Sequence, residues 1–269
     1  MAGGRVMEVG GERIHLIERG SGPALLLVHG FPSNATAWRL VMDWLEPHFS
    51  MTAVDMVGFG QSTRRPRRPL SGEAYADRLV GLLDALGLER PHVAGLSWGG
   101  SVVQRFAAWN PQRVDRLVLV ASVSAARVLG LTTANLLGLA VAIRFPALGR
   151  LAVRRFVSRA VVGRQLATDE LVRGYTEPLQ IPGTLAALRR FVRDSTATLP
   201  IDLGAIRAPT LVIVPQADRI VAPIVGAEIA ASIPNARFEP LGGIGHAVQF
   251  EAPDRVAGLM LDFLRADLS

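Results

Sequence analysis

The sequence predicts an α/β fold in which a mostly parallel β-sheet is covered by helices on both faces. Three observations carry this expectation. Eight short β-rich runs alternate with helical patterns through most of the chain. Pro91, Pro111, Pro209 and Pro234 fall between those runs, where proline disrupts nothing. The 269 residues, 49% hydrophobic and 19% charged, suffice to bury a full core in one large domain or in one domain with an insertion.

In chain order, strands are expected at Arg5–Val9, Arg13–Glu18, Ala24–Val28, Met51–Val54, His92–Leu96, Leu117–Ala121, Thr210–Val214 and Arg237–Pro240. Most are short aliphatic runs without polar alternation, as buried parallel strands require. Helices are expected at Thr36–Leu45, Gly72–Leu86, Trp98–Trp109, Val225–Ser232 and Pro253–Arg265. In the second of these, Leu79, Leu82, Leu83 and Leu86 share one face at helical spacing.

Between Ser122 and Pro209 the alternation stops and only helical patterns remain, so residues 1–122 and 209–269 read as the sheet domain and 123–208 as a helical insertion. The charge divides in the same way. Residues 125–207 hold 12 arginines against 5 acids, a net +7, whereas the rest holds 17 against 18. The insertion reads as an apolar helix followed by one in which Arg150, Arg154, Arg155 and Arg159 form a polar stripe.

Composition excludes several chemistries. With no cysteine, disulfides, thiolate metal sites and a cysteine nucleophile are ruled out. All 29 basic residues are arginine, so no lysine Schiff base can form. The longest uncharged apolar-rich run, 128–143, is too short to span a bilayer, and the first residues lack a secretory pattern, so a cytoplasmic location is expected. Arginines without interleaved aromatics argue against nucleic acid as a partner.

The strongest local feature is Gly95-Leu96-Ser97-Trp98-Gly99-Gly100, set between the strand HVAGL and the helical run SVVQRFAAW. On a tight strand-to-helix turn, small neighbours let a serine Oγ project while the helix N-terminus offers N–H groups to an oxyanion. Such a serine needs a base. Among the five histidines, His246 lies in a glycine-rich loop beyond the last strand, at the sheet edge where Ser97 should emerge. Asp218, just past the strand TLVIV, is the acid that can orient His246. Asp115 and Asp202 are not at a strand's carboxyl end, and Asp55 precedes the serine; the order Ser97, Asp218, His246 is the expected one. The backbone N–H groups of Phe31 and Trp98 are the expected oxyanion donors. His29 reads as a brace for its loop, and His15 and His48 as structural.

With HGFP at 29–32, DMVGFGQS at 55–62, GLSWGG at 95–100, PQAD at 215–218 and GIGH at 243–246, the chain resembles the α/β-hydrolase superfamily over nearly its whole length. The resemblance implies an eight-stranded sheet with one antiparallel early strand, a helical cap inserted after the sixth strand, a site-bracing loop containing Asp55 and Gly58, and no metal or organic cofactor. Ser97 argues against the dehalogenases and epoxide hydrolases of the superfamily, which use an aspartate nucleophile. The chain is most similar to capped serine esterases and lipases, acting on a small-molecule ester with an apolar acyl or aromatic group. Carbon–carbon bond hydrolases and perhydrolases are the alternatives on the same triad, with polyhydroxyalkanoate depolymerases or a ligand-binding hydrolase-like protein behind them. His29, Gly30, Val123, Val221 and Ala247 are expected at the substrate pocket, roofed by Leu136 and Leu139 of the apolar cap helix. Outward arginines of the cap would give at most weak contact with an anionic interface.

Overall fold

Alternate residues of the central strands face two separate cores. Leu26, Val28, Val93, Leu117, Leu119, Val212 and Val214 join one apolar cluster, whereas Leu25, Leu27, Ala94, Val118, Val120, Leu211 and Ile213 join another. That division follows from the two-residue period of a strand, and burial of both faces explains why these strands read as continuous aliphatic runs. The computed structural model of the protein describes residues 4–125, 140–141, 143–163, 166–195 and 198–266.

The strands are β1 (Arg5–Val9), β2 (Glu12–Arg19), β3 (Ala24–Val28), β4 (Ser50–Val54), β5 (His92–Leu96), β6 (Leu117–Val120), β7 (Thr210–Pro215) and β8 (Ala236–Leu241). They form one eight-stranded sheet in the order β1-β2-β4-β3-β5-β6-β7-β8. Only β2 runs against its neighbours, and every pairing from β4 to β8 is parallel. The chain steps from β3 outward to β4 and then back across to β5. In open α/β sheets such a reversal leaves a crevice at the carboxyl ends of the strands, where ligands bind.

Helices α1 (Arg39–Leu45), α2 (Gly72–Leu86) and α3 (Trp98–Trp109) precede the stretch between β6 and β7. That stretch contributes α4 (Pro146–Ala160), α5 (Asp169–Thr176) and α6 (Thr184–Ser195); α7 (Pro223–Ser232), α8 (Val248–Glu251) and α9 (Pro253–Arg265) follow. Leu79, Leu82 and Leu83 of α2 pack with Val102, Val103 and Phe106 of α3 on one face. Val41, Met42 and Leu45 of α1 pack with Val256, Met260 and Phe263 of α9 on the other. The first helix starts later than its apolar pattern predicts, at Arg39 rather than Thr36. Asn34 accepts a hydrogen bond from the Thr36 amide at 2.9 Å and stabilises a 3₁₀ turn over Ala35–Trp38 instead.

The last helix between β6 and β7 puts Leu188 and Phe191 into the core and is tied to the segment after β4 by polar contacts. Arg190 donates to the carbonyls of Pro66, Arg67 and Arg68, and Asp194 accepts the Leu70 amide at 2.9 Å. The four arginines of α4 do not share one environment. Arg150, Arg155 and Arg159 are exposed, but Arg154 pairs with Asp169 and donates to the Ala167 carbonyl at 3.1 Å. It braces α4 against α5 rather than completing a free stripe. No helix among the described residues is long and apolar enough to cross a membrane.

Candidate active site

Ser97 occupies the single residue between β5 and α3, at φ 51° and ψ −117°. A side chain rarely adopts this region, and the strain persists only where surrounding contacts fix it. Here the Ser97 amide donates to the Val120 carbonyl at 2.9 Å, and the Ser97 carbonyl accepts the Gly100 and Val123 amides at 3.0 and 3.2 Å. The flanking glycines are sterically required. A Cβ on Gly95 would stand 2.7 Å from the Gly100 Cα, and one on Gly99 would stand 2.6 Å from the Val28 carbonyl oxygen.

The loop after β8 brings His246 to this turn. Ser97 Oγ lies 3.0 Å from His246 Nε2, and His246 Nδ1 lies 2.7 Å from Asp218 Oδ2. Asp218, almost entirely buried at the end of β7, accepts the Ile220 and Val221 amides on its other oxygen at 2.7 and 2.8 Å. With a carboxylate at Nδ1, the ring carries its proton there and presents a bare Nε2 to the serine hydroxyl. The rival acids are engaged elsewhere. Asp115 faces Arg90 and His92, and Asp202 caps a short turn through the Gly204 amide.

The HGFP turn closes on the same point from β3. A Cβ on Gly30 would lie 3.1 Å from the Ser97 Cβ, so the backbone ahead of Phe31 passes directly beside the serine. Neither the Phe31 nor the Trp98 amide has an acceptor among the hydrogen bonds of the described residues. These two amides are the candidates for stabilising an oxyanion at Ser97.

His29 is fully buried. It takes the Met56 amide on Nε2 at 3.1 Å and places Nδ1 2.8 Å from the Gly30 carbonyl. Burial lowers its pKa, in keeping with a neutral ring that donates from one nitrogen and accepts at the other. Both nitrogens hold the loop, in keeping with the reading of His29 as its brace. Ala247 is likewise buried, packed with Val157, Ala160 and Val161. The Val221 amide supports Asp218, and Val123 bonds to the Ser97 carbonyl. Leu136 and Leu139 lie outside the described residues.

A second buried histidine–carboxylate pair, of which the sequence singled out only the parts, braces the site from behind. Asp55 accepts the Ala35 amide on Oδ1 at 2.7 Å and the Gln61 amide and His15 Nδ1 on Oδ2 at 2.7 and 2.9 Å. The sequence gives no sign of this pair, which forms because β2 and β4 are antiparallel neighbours and set His15 opposite the residue that follows β4. Burial works to raise the Asp55 carboxyl, yet His15, His29 and the two amides hold it below its ordinary value. The same hydrogen bond raises His15 against the effect of burial. A lowered carboxyl stabilises the fold above its unfolded pKa of about 3.9, and a raised histidine does so below about 6.5. Asp55→Asn is therefore expected to cost about 3 to 5 kcal/mol, as removal of one partner from a buried pair does. Urea denaturation across pH 4 to 8 should give its largest gap from wild type between those two values; a gap that does not vary with pH contradicts the pairing.

Residues 23–253 match the family described as alpha/beta hydrolase fold. The 2-hydroxymuconate semialdehyde hydrolase of Pseudomonas sp. (strain CF600) is 32% identical over 273 residues, covering 97% of this chain and 93% of the relative. The 2-hydroxy-6-oxo-2,4-heptadienoate hydrolase of Pseudomonas putida (strain F1) is 32% identical over 277 residues, covering 98% and 97%. A solved meta-cleavage product hydrolase from Pseudomonas fluorescens IP01 superposes with a TM-score of 0.81 at 27% identity, covering 97% of each chain. An epoxide hydrolase at 22% identity shares the fold with the same score. By its sheet order, its strand–serine–helix turn and this match over most of its length, the chain belongs to the α/β-hydrolase fold family.

Proposed function

We propose that the protein is a serine hydrolase that splits a carbon–carbon bond beside a carbonyl, taking substrates of the 2-hydroxy-6-oxo-dienoate class. The observation that carries this reading is the full-length similarity to hydrolases named for such substrates, on a site whose Ser97 Oγ already lies 3.0 Å from His246 Nε2. In this reading Ser97 Oγ adds to the substrate carbonyl carbon as its proton passes to His246 Nε2. The Phe31 and Trp98 amides take the oxyanion, and Asp218 holds the imidazolium. Collapse breaks the carbon–carbon bond. Its electron pair stays on the departing carbon, which accepts the proton from His246. Water, deprotonated by His246, then releases the acyl group from Ser97 as a carboxylic acid. A carbon can leave only if its electron pair is delocalised, and the 2-oxo acid tautomer conjugated to it supplies that sink.

Hydrolysis of carboxylic esters is the second reading. It rests on the same triad, which serves any acyl transfer, and it differs only in that an alkoxide departs. The deciding experiment compares kcat/KM for 2-hydroxy-6-oxo-2,4-heptadienoate, followed by loss of its dienol absorbance, with that for p-nitrophenyl butyrate. A preference for the dienoate of about 100-fold or more is expected, the scale on which a site built around one substrate's polar groups discriminates. The opposite preference would leave the ester reading in its place.

A further inference from the structure

The loop that carries His246 is fastened to the helices between β6 and β7 as well as to the sheet domain. Glu251, the last residue of α8, accepts the Gly245 amide on Oε1 at 3.0 Å and the Val162 amide on Oε2 at 2.9 Å. One carboxylate thus joins the residue before His246 to the chain just beyond the end of α4. The residue after His246 makes the same connection, because the Ala247 amide donates to the Ala160 carbonyl at 3.0 Å. Around these bonds Ala247 shares an apolar cluster with Val157, Ala160, Val161 and Leu171, against which Tyr175 of α5 packs. The approach is close enough that Gly245 admits no side chain. A Cβ there would lie 2.6 Å from the Ala160 carbonyl oxygen and 2.8 Å from Glu251 Oε1.

We propose that Glu251 is a positioning residue for His246: by bridging the Gly245 and Val162 amides it makes the histidine loop and the end of α4 one rigid unit, so that the placement of the imidazole opposite Ser97 depends on the helices between β6 and β7. Two amides converge on separate oxygens of a single side chain, and no other acidic residue lies within five positions of either amide in sequence. Burial raises the Glu251 carboxyl, and both Asp218 and His246 act on its charge, which puts the group within electrostatic reach of the triad without contact to the serine. The inference rests on His246 being the base.

The test uses the protein and four variants, Ser97→Ala, His246→Ala, Glu251→Ala and Glu251→Gln. Loss of turnover in both Ser97→Ala and His246→Ala secures the underlying reading independently of Glu251. Displacement of a catalytic group by about 1 Å costs on the order of 100-fold. Glu251→Ala is therefore expected to lower kcat by about 10- to 100-fold with KM changed less than about twofold, and to slow labelling of Ser97 by a fluorophosphonate in proportion. Glu251→Gln is isosteric and keeps one acceptor oxygen, so it should fold and fall between the two in both readouts. A purely structural role would lower the melting temperature while leaving kcat and the labelling rate per folded molecule unchanged. That result in either Glu251 variant, measured well below its melting temperature, overturns the proposal.

Discussion

Ser97→Ala is expected to fold like the wild type and to lose turnover by about 10⁵- to 10⁶-fold, the scale seen when a serine nucleophile is removed from a working triad. The fold should survive because the turn is held by backbone groups: the Ser97 amide on Val120, and the Gly100 and Val123 amides on the Ser97 carbonyl. None of these needs the hydroxyl. The steric fit of Gly95 and Gly99 is also independent of it. Loss of Oγ removes the only group through which His246 Nε2 reaches the reaction among the described contacts. Circular dichroism and steady-state kinetics on the same preparation check both halves.

Asp218→Asn is expected to lower kcat by about 10³- to 10⁴-fold with little loss of folded protein. The reason lies in what the two oxygens of Asp218 do. One accepts the Ile220 and Val221 amides, and the other accepts the His246 Nδ1 proton. An asparagine must give its single oxygen to the two loop amides, which leaves its NH₂ facing Nδ1. The ring then has to carry its proton on Nε2, the nitrogen 3.0 Å from Ser97 Oγ, and cannot accept one from the serine. Near-normal kcat in this variant, with folding intact, would mean that the imidazole is oriented by another group. The contrast with Asp55→Asn is informative, because the partners of that carboxylate are the Ala35 and Gln61 amides and His15, not His246. Its loss should appear mainly in stability.

The sheet was legible in the sequence because its strands are buried on both faces. Aliphatic runs such as ALLLV at 24–28 and TLVIV at 210–214 have no competing helical periodicity, and their ends fall within one residue of the expected positions. Ser97, Asp218 and His246 could be picked out because strand ends and chain order are properties of the sequence alone. The same approach could not show how His29 and Ala247 are held. Whether a residue beside the site faces the substrate depends on how its loop is hydrogen-bonded, and His29 is held by Met56 and Gly30. Glu251 left no signal for a related reason. Its contact with the Val162 amide spans 89 residues and joins a side chain to a backbone group, so neither periodicity nor residue type marks it. The helices between β6 and β7 were expected as a class, but their ends were not. They pack both through apolar residues such as Leu188 and Phe191 and through polar contacts such as Arg154 with Asp169 and Ala167, and the polar contacts carry no periodic signal.

Active-site labelling tests the central claim most directly, namely that Ser97 is a nucleophile made reactive by His246. The intact protein is treated with a fluorophosphonate, digested and mapped by mass spectrometry. The account predicts a single adduct, on Ser97, formed in step with loss of turnover and greatly slowed in Asp218→Asn. An adduct on another residue, or full loss of turnover with Ser97 unmodified, would contradict it.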